Sequence, residues 1–376
     1  MIDRRGWAMV GAGAAANFVG FGTLFSFGLF LSPLAEEFAT TTGAVAPLLG
    51  GSVFFYYLSS AVGGRLADRH GPRPVVALGA VALPLGLALS STAGSLWQLY
   101  LFYTPLAGLA VGCSYSPLIG AAGRRFAERR AMAIAVVLTG VGGGSLLMPL
   151  LIRASLDRWD WRITFRLLAV VTLIVIAVTA VASTGHPERS GATTANPLAM
   201  FRSAPFRRLY LSVVLIAPGF YAPLAFLNDY AVGRGVGEGR AAVLLATIGL
   251  GSFITRLPFG GAVERLGALR QYRASHMMML VGLVIWFLAG GSFWLLAAAA
   301  LLHGFGWAAW VTAAPLVLAD WFGAEDLGLL VGGFYTGLGI GALLGPSISG
   351  LIIDAAGYRP ALAAVIATTA VSLAML

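Results

Sequence analysis

Charged or turn-rich breaks divide this 376-residue chain into twelve apolar runs, at about 7–34, 44–64, 74–92, 96–121, 131–152, 164–183, 209–232, 241–261, 272–290, 293–317, 328–352 and 358–376. Each is close to the roughly 20 apolar residues that carry a helix across a bilayer. Lipid offers no partner to a backbone N–H or C=O, so such runs read as helices that satisfy their own hydrogen bonds. Hydrophobic residues make up 59% of the chain and charged residues 10%, against the roughly 25% charge of a soluble domain. A water-facing fold of this size could not bury that much apolar surface. The expected fold is an all-α membrane protein with twelve transmembrane helices.

The twelve fall into two sixes. GRLADRHGPR, from Gly64 to Arg73, separates the second and third runs, and GGAVERLGAL, from Gly260, repeats its key residues 196 positions later. Gly64 is answered by Gly260, Asp68 by Glu264, Arg69 by Arg265 and Gly71 by Gly267. Phe126 and Phe322 are again 196 apart, while Gly140, Gly142, Gly144, Pro149, Asp157 and Arg162 are answered 197 positions on by Gly337, Gly339, Gly341, Pro346, Asp354 and Arg359. An echo that keeps its spacing marks a duplication, the layout of transporters built from two parallel repeats. Two pseudo-symmetric six-helix bundles are therefore expected at 1–183 and 209–376, joined by a polar cytoplasmic linker at 184–208 in which Pro197 could start a short surface helix.

All 24 basic residues are arginine and the net charge is +9. In a soluble chain that balance would suggest nucleic acid; here the placement of the arginines decides. With the N-terminus inside, 16 arginines fall in inner segments and seven in outer ones, a bias that predicts both termini cytoplasmic. The loop after the fifth run, with Arg153, Arg158 and Arg162, is the exception. The expected partner is the lipid bilayer, with no nucleic acid. Cys113, the single cysteine, lies within an apolar run, which excludes an intrachain disulfide and any CxxC site. Met1 to Arg5 and the run behind them have the outline of a signal peptide, but the run is about twice the usual h-region and is expected to stay as the first helix.

Gly11, Gly13 and Ala16 fit GxGxxA, as do Gly337, Gly339 and Ala342, yet both sets lie inside spanning runs. Small residues at such spacings read as helix-packing contacts. The chain has no HExxH and no GxxxxGK[ST], and Gly345 to Gly350 misses the GxSxG pattern. No enzyme activity, cofactor or metal site is expected, and no direct drive by ATP.

The twelve-run plan together with GRLADRHGPR resembles the major facilitator superfamily, whose signature loop has this spacing of glycine, leucine, aspartate, arginine and glycine. Physically, Gly64 lets two helices approach, Asp68 can meet a helix N-terminus or an arginine, Gly71 turns the chain, and Arg69 and Arg73 hold the loop inside. The resemblance implies the major facilitator fold, in which this cluster latches the inner face and releases during transport. Within that superfamily the chain is similar to the monocarboxylate porters and oxalate/formate-type exchangers. The similarity is carried by Gly6 to Ala8, by Tyr115 to Pro117 with RRFAERRAMAIAVVLTGVGGG after it, and by TRLPFGG around Arg256. Two positions depart: Ser252 stands where the family has a carboxylate four residues before the arginine, and Phe25 where animal members have a lysine. Both bear on whether the animal proton-coupling scheme carries over.

Arg256 is the one formal charge well inside a spanning run. Eight residues before Glu264 at the inner edge, it lies about 12 Å into a hydrocarbon core about 30 Å thick. The eighth helix runs inward, so its side chains lean toward the midplane and against a snorkelling escape. An unpaired arginine there costs at least about 2.5 kcal/mol and calls for a partner or a watery cavity; a guanidinium also grips a carboxylate through two parallel hydrogen bonds. The same counting puts Tyr115, Asn17, Trp310 and Tyr335 near that depth, with Tyr56, Tyr57 and Tyr221 as further candidates. Such residues pack at least as often as they bind, but aromatic walls would suit a small organic anion.

No run holds a carboxylate near its centre, so Asp229, near the outer end of the seventh, and His303 are the candidate proton carriers, with symport, exchange and uniport all open. The loop after the fourth run carries Arg124, Arg125, Arg129 and Arg130; its echo carries Asp320, Glu325 and Asp326. These opposed charges are expected to attract across the cytoplasmic mouth, so that Arg129 and Asp326 join Gly64, Asp68, Arg69, Gly71 and Arg73 as the gating set. The expectation is a secondary active transporter of the plasma (inner) membrane, working as a monomer and moving a small monocarboxylate or related organic anion by alternating access. A drug or metabolite exporter, in which Arg256 merely pairs with a neighbour, and a transport-silent membrane sensor or assembly partner are the competing readings.

Overall fold

The computed structural model describes residues 3–183, 199–256, 267–323 and 327–376. Among these residues, twelve long helices form the first and second halves: α1 (Arg4–Phe25), α2 (Pro47–His70), α3 (Pro72–Ser90), α4 (Leu96–Arg125), α5 (Arg130–Leu156) and α6 (Trp161–Ala182), then α7 (Ala204–Gly233), α8 (Glu238–Arg256), α9 (Ala268–Ala289), α10 (Phe293–Phe322), α11 (Leu327–Ala356) and α12 (Tyr358–Ala374). Ten are long and apolar enough to cross a membrane; α8, which ends where the described residues end, and the 17-residue α12 complete the six-and-six plan. Among the described residues there is no strand. α7 starts at Ala204, inside the stretch read as linker, after a 3-10 turn at Ala199–Arg202. Pro205 sits in its first turn, where the missing N–H costs nothing. Pro197 and the rest of 184–198 lie outside the described residues.

The repeat is visible in backbone detail. Gly71, between α2 and α3, has φ 83°, and Gly267, its mate before α9, has φ 78°. That left-handed region carries a steric penalty for any residue with a Cβ, so glycine makes the sharp reversal at both places.

Glycines spaced by two and four then set the helix contacts. α5 presents Gly140 and Gly144 to α1, where an added Cβ would fall 2.0 Å from the Ala14 carbonyl oxygen and 2.2 Å from that of Phe18. Gly142, between them, faces Phe253 of α8 instead. The mates behave alike: Gly337 and Gly341 of α11 meet Val213 and Ala217 of α7, whereas Gly339 meets Tyr57 of α2. A step of four returns to one helix face and a step of two crosses to the other. The fifth helix of each half therefore holds its own first helix with one side and leans on the opposite half with the other. Bare backbone allows the close packing that must replace hydrophobic drive inside lipid.

The two halves are tied at the end remote from the arginine-rich loops. There Gly28 lies under the carbonyls of Leu224 and Ala225, Gly43 against Gly350, Gly50 against Ala342 and Gly249 against Ser145. Polar groups add to the seam: the Thr41 hydroxyl donates to Asp354 at 2.7 Å, and Arg153 meets Glu238 at 2.6 Å. At the arginine-rich end the ion pairs found among the described residues, Arg124–Asp68 at 3.0 Å and Arg125–Asp3 at 2.7 Å, stay within the first half.

Candidate functional site

α8 carries Arg256 to the middle of the seam between the halves. Ser252 is one turn earlier on the same face, and the guanidinium Nε donates to its hydroxyl at 3.3 Å. That is its only side-chain contact of this kind among the described residues. The ion pairs found there, Arg124–Asp68, Arg125–Asp3, Arg153–Asp157, Arg153–Glu238 and Arg162–Glu37, leave Arg256 without a carboxylate. A cation in this position is either solvated or awaits an anion.

Arg256 opens on a cavity between the two halves. From the first half come Phe21 and Phe25 of α1, Tyr56 and Tyr57 of α2, Tyr115 of α4 and Val141 of α5; from the second come Trp307, Trp310 and Val311 of α10 and Tyr335 of α11. Phe21, Tyr56 and Tyr115 stand edge to face with one another, at 5.2, 5.3 and 5.9 Å between centroids. Opposite them, Tyr335 lies 6.2 Å from Trp310, and Trp310 stacks on Phe334 at 5.9 Å. Two ring contacts bridge the halves: Tyr57 to Tyr335 at 5.7 Å and Phe25 to Trp307 at 4.8 Å. The Tyr57 and Tyr221 hydroxyls close a third bridge at 3.0 Å. The two positions singled out as departures from the family, Ser252 and Phe25, thus both fall at this site.

The other expected residues are spread more widely. Tyr115, Trp310 and Tyr335 join Arg256 at the cavity, and Tyr221 reaches it through Tyr57. Asn17 is buried one turn before Phe21, where its amide donates to the Val137 carbonyl at 3.2 Å and so ties α1 to α5 rather than lining the cavity. His303 borders a separate small cavity inside the second half, with Pro223, Leu227 and Trp286. Asp229 belongs to the remote seam, taking a hydrogen bond from the Ser32 hydroxyl on one oxygen and from the Tyr358 hydroxyl on the other. In the signature loop, Asp68 meets an arginine, Arg124, and Gly64 faces Ser116 of α4 at a distance that a side chain would narrow to 2.9 Å. Arg69, Arg73 and Arg129 are exposed. Asp326 lies outside the described residues, and with it the expected pairing to Arg129.

Phe21, Trp307, Val141 and Val311 were missed from sequence. Phe21 is one turn from Phe25, and Trp307 and Val311 flank Trp310 on a helix whose apolar residues run all round it, so no polar stripe marks which face looks inward.

A sequence profile described as the Major Facilitator Superfamily matches residues 13–291 and 209–376. Human monocarboxylate transporter 11 is 30% identical over 372 residues, covering 94% of this chain and 78% of that one. The mouse protein of that name is 32% identical, covering 94% and 82%. Among solved structures, the nucleoside transporter NupG superposes with a TM-score of 0.77 at 13% identity, covering 97% of this chain and 100% of that chain. A bacterial homolog of the human lysosomal transporter Spinster, in an inward-facing and unoccupied conformation, gives 0.75 at 16%, covering 100% and 97%.

Proposed function

Because the chain belongs to the major facilitator superfamily, we propose that it is a secondary active transporter that carries a small monocarboxylate or related organic anion by alternating access. The observation that carries this is Arg256, a cation without a carboxylate partner among the described residues, set on an aromatic-walled cavity between the two halves. A guanidinium binds a carboxylate bidentately, and the aromatic walls cover the organic remainder. The names of the similar monocarboxylate transporters favour the same class. In this reading both termini are cytoplasmic, the membrane is the plasma (inner) membrane, and a monomer suffices because the cavity is built from one chain.

The seam at the remote end, with the ion pairs found among the described residues at the other end kept within one half, supports reading this form as a carrier open toward the cytoplasm. Opening outward would require the Ser32–Asp229, Thr41–Asp354 and Arg153–Glu238 contacts to part, while the signature loop and the Arg129 and Asp326 loops close. Asp229 is the favoured proton carrier. Both its oxygens accept hydrogen bonds, and a proton on either would turn one acceptor into a donor and loosen the seam. His303 sits away from the seam.

Uptake of labelled lactate, pyruvate or formate into proteoliposomes tests the proposal, with Arg256→Gln beside the unmodified protein. Uptake that falls at least tenfold in the variant supports it. Uptake that is indifferent to the change removes Arg256 as the anion anchor.

A further inference from the structure

Resting on that anion reading, we infer that the Arg256 cavity selects a monocarboxylate bearing a flat aromatic body, over short aliphatic acids and over dianions. Three features lead there. The first is the composition of the wall: among the described residues that line it, apart from Arg256, only Val141 and Val311 are not aromatic. A wall built for a two- or three-carbon acid would need no such ring surface.

The second is ring orientation. Phe21 meets Tyr56 at 82° and Tyr115 at 70°, and Tyr56 meets Tyr115 at 83°. Rings held edge to face expose both positive edges and negative faces, and an incoming ring can complete the same pattern, which a saturated ring of equal bulk cannot. Across the cavity, Tyr57 and Tyr335 and then Trp310 and Tyr335 stand tilted at 45° and 34°, so the second half offers ring faces as well.

The third is charge. Among the described residues Arg256 is the single cation on the cavity, and the other polar groups of the wall are tyrosine hydroxyls and the indole N–H groups of Trp307 and Trp310. One guanidinium satisfies one carboxylate. A second carboxylate would be desolvated with no cation to meet it, and a site that leaves a buried charge unpaired rejects that ligand strongly. The Tyr57 hydroxyl is engaged by Tyr221 at 3.0 Å, which leaves Tyr56, Tyr115 and Tyr335 as the hydroxyls available to the carboxylate or to a polar ring substituent.

Binding to the purified full chain in detergent, read by calorimetry or by the fluorescence of Trp307 and Trp310, tests the inference with five probes: acetate, phenylacetate, cyclohexylacetate, phenylacetamide and phenylmalonate. Phenylacetate is expected to bind at least tenfold more tightly than acetate, phenylacetamide or phenylmalonate, and about threefold to tenfold more tightly than cyclohexylacetate. Tyr115→Leu should narrow the gap between phenylacetate and cyclohexylacetate while leaving acetate unchanged, with an unaltered melting temperature as the control for folding. If acetate or cyclohexylacetate matches phenylacetate while phenylacetamide stays weak, ring selection is overturned and the anion reading stands. If phenylacetamide binds as well as phenylacetate, the anion reading itself falls, and this inference with it.

Discussion

The Ser32 hydroxyl donates to Asp229 at 2.5 Å, and Asp229 follows directly on Asn228, the repeat mate of Ser32 at the offset of 196. A residue can reach its own mate, or the neighbour of its mate, only close to the axis that relates the halves. Gly28 and the carbonyl of its mate Leu224, 196 apart, meet on the same line. To either side, Thr41 pairs with Asp354 while Glu238, one residue past the mate of Thr41, pairs with Arg153, which also holds Asp157, the mate of Asp354. The seam is one latch on the axis flanked by two related ones.

Breaking the axial latch should open that end. Asp229→Asn keeps one acceptor oxygen and loses the charge that both hydroxyls address. A hydrogen bond to a charged group is worth about 1.5–3 kcal/mol, so the closed-to-open ratio should fall about tenfold or more. Spin labels at Glu36 and Gly239, in a Cys113→Ala background, should show a new population at longer distance, with Ser32→Ala giving a smaller one. An unchanged distance distribution would show that this contact does not hold the end shut.

The flanking pair should be worth less and should be unequal between its partners. Arg153 is largely covered, whereas the Glu238 side chain is 60% exposed and screened by solvent. Such a pair contributes about 0.2–1 kcal/mol. Glu238→Gln leaves Arg153 paired with Asp157 at 2.6 Å, while Arg153→Gln strips both acids. Thermal melting at low salt should therefore fall further for Arg153→Gln, and the difference should shrink as salt is raised.

Close backbone contact predicts which glycines tolerate a methyl group. At Gly249 a Cβ would lie 2.2 Å from the Ser145 carbonyl carbon, and backbone cannot step aside. Gly249→Ala should cost about 1–3 kcal/mol of the closed form. At Gly64 the nearest atom is the Ser116 hydroxyl at 2.9 Å, which can rotate away. Gly64→Ala should leave the melting temperature within a degree or two, and an equal loss in both variants would contradict the packing described.

The start of α1 should be sensitive to acid. Hydrogen bonds from Arg125, then from the Gly6 amide, hold the Asp3 carboxyl below the ordinary carboxylate range. A group whose folded value is depressed stabilises above its unfolded value and loses that contribution as the pH falls through the folded one. Hydrogen exchange at Gly6, corrected for the intrinsic rate at each pH, should accelerate as Asp3 gains its proton. Asp3→Asn should abolish that dependence.

The helices were legible because lipid leaves so few ways to arrange an apolar run, and the pairing of halves because Gly71 and Gly267 kept both spacing and conformation. Helix ends were less so: α4 continues through Arg124 and Arg125, whose long stems let the charges leave the membrane while the backbone stays helical. Site depth could be counted in residues, and this brought Tyr115, Trp310 and Tyr335 to the level of Arg256. Counting gives height along a helix and says nothing of rotation about it. Asn17 has a comparable height and turns to Val137, whereas Trp307 and Phe21 turn to the cavity.

At its remote end the seam between the halves sets glycines against backbone at four places, and that bears on how fast the molecule can change shape. Interlocked side chains must each find a new rotamer before two surfaces part; smooth surfaces separate once a handful of polar contacts let go. The barrier to switching is then concentrated in a few hydroxyls and acids, where a single substitution or a single ion can set the pace of the whole cycle.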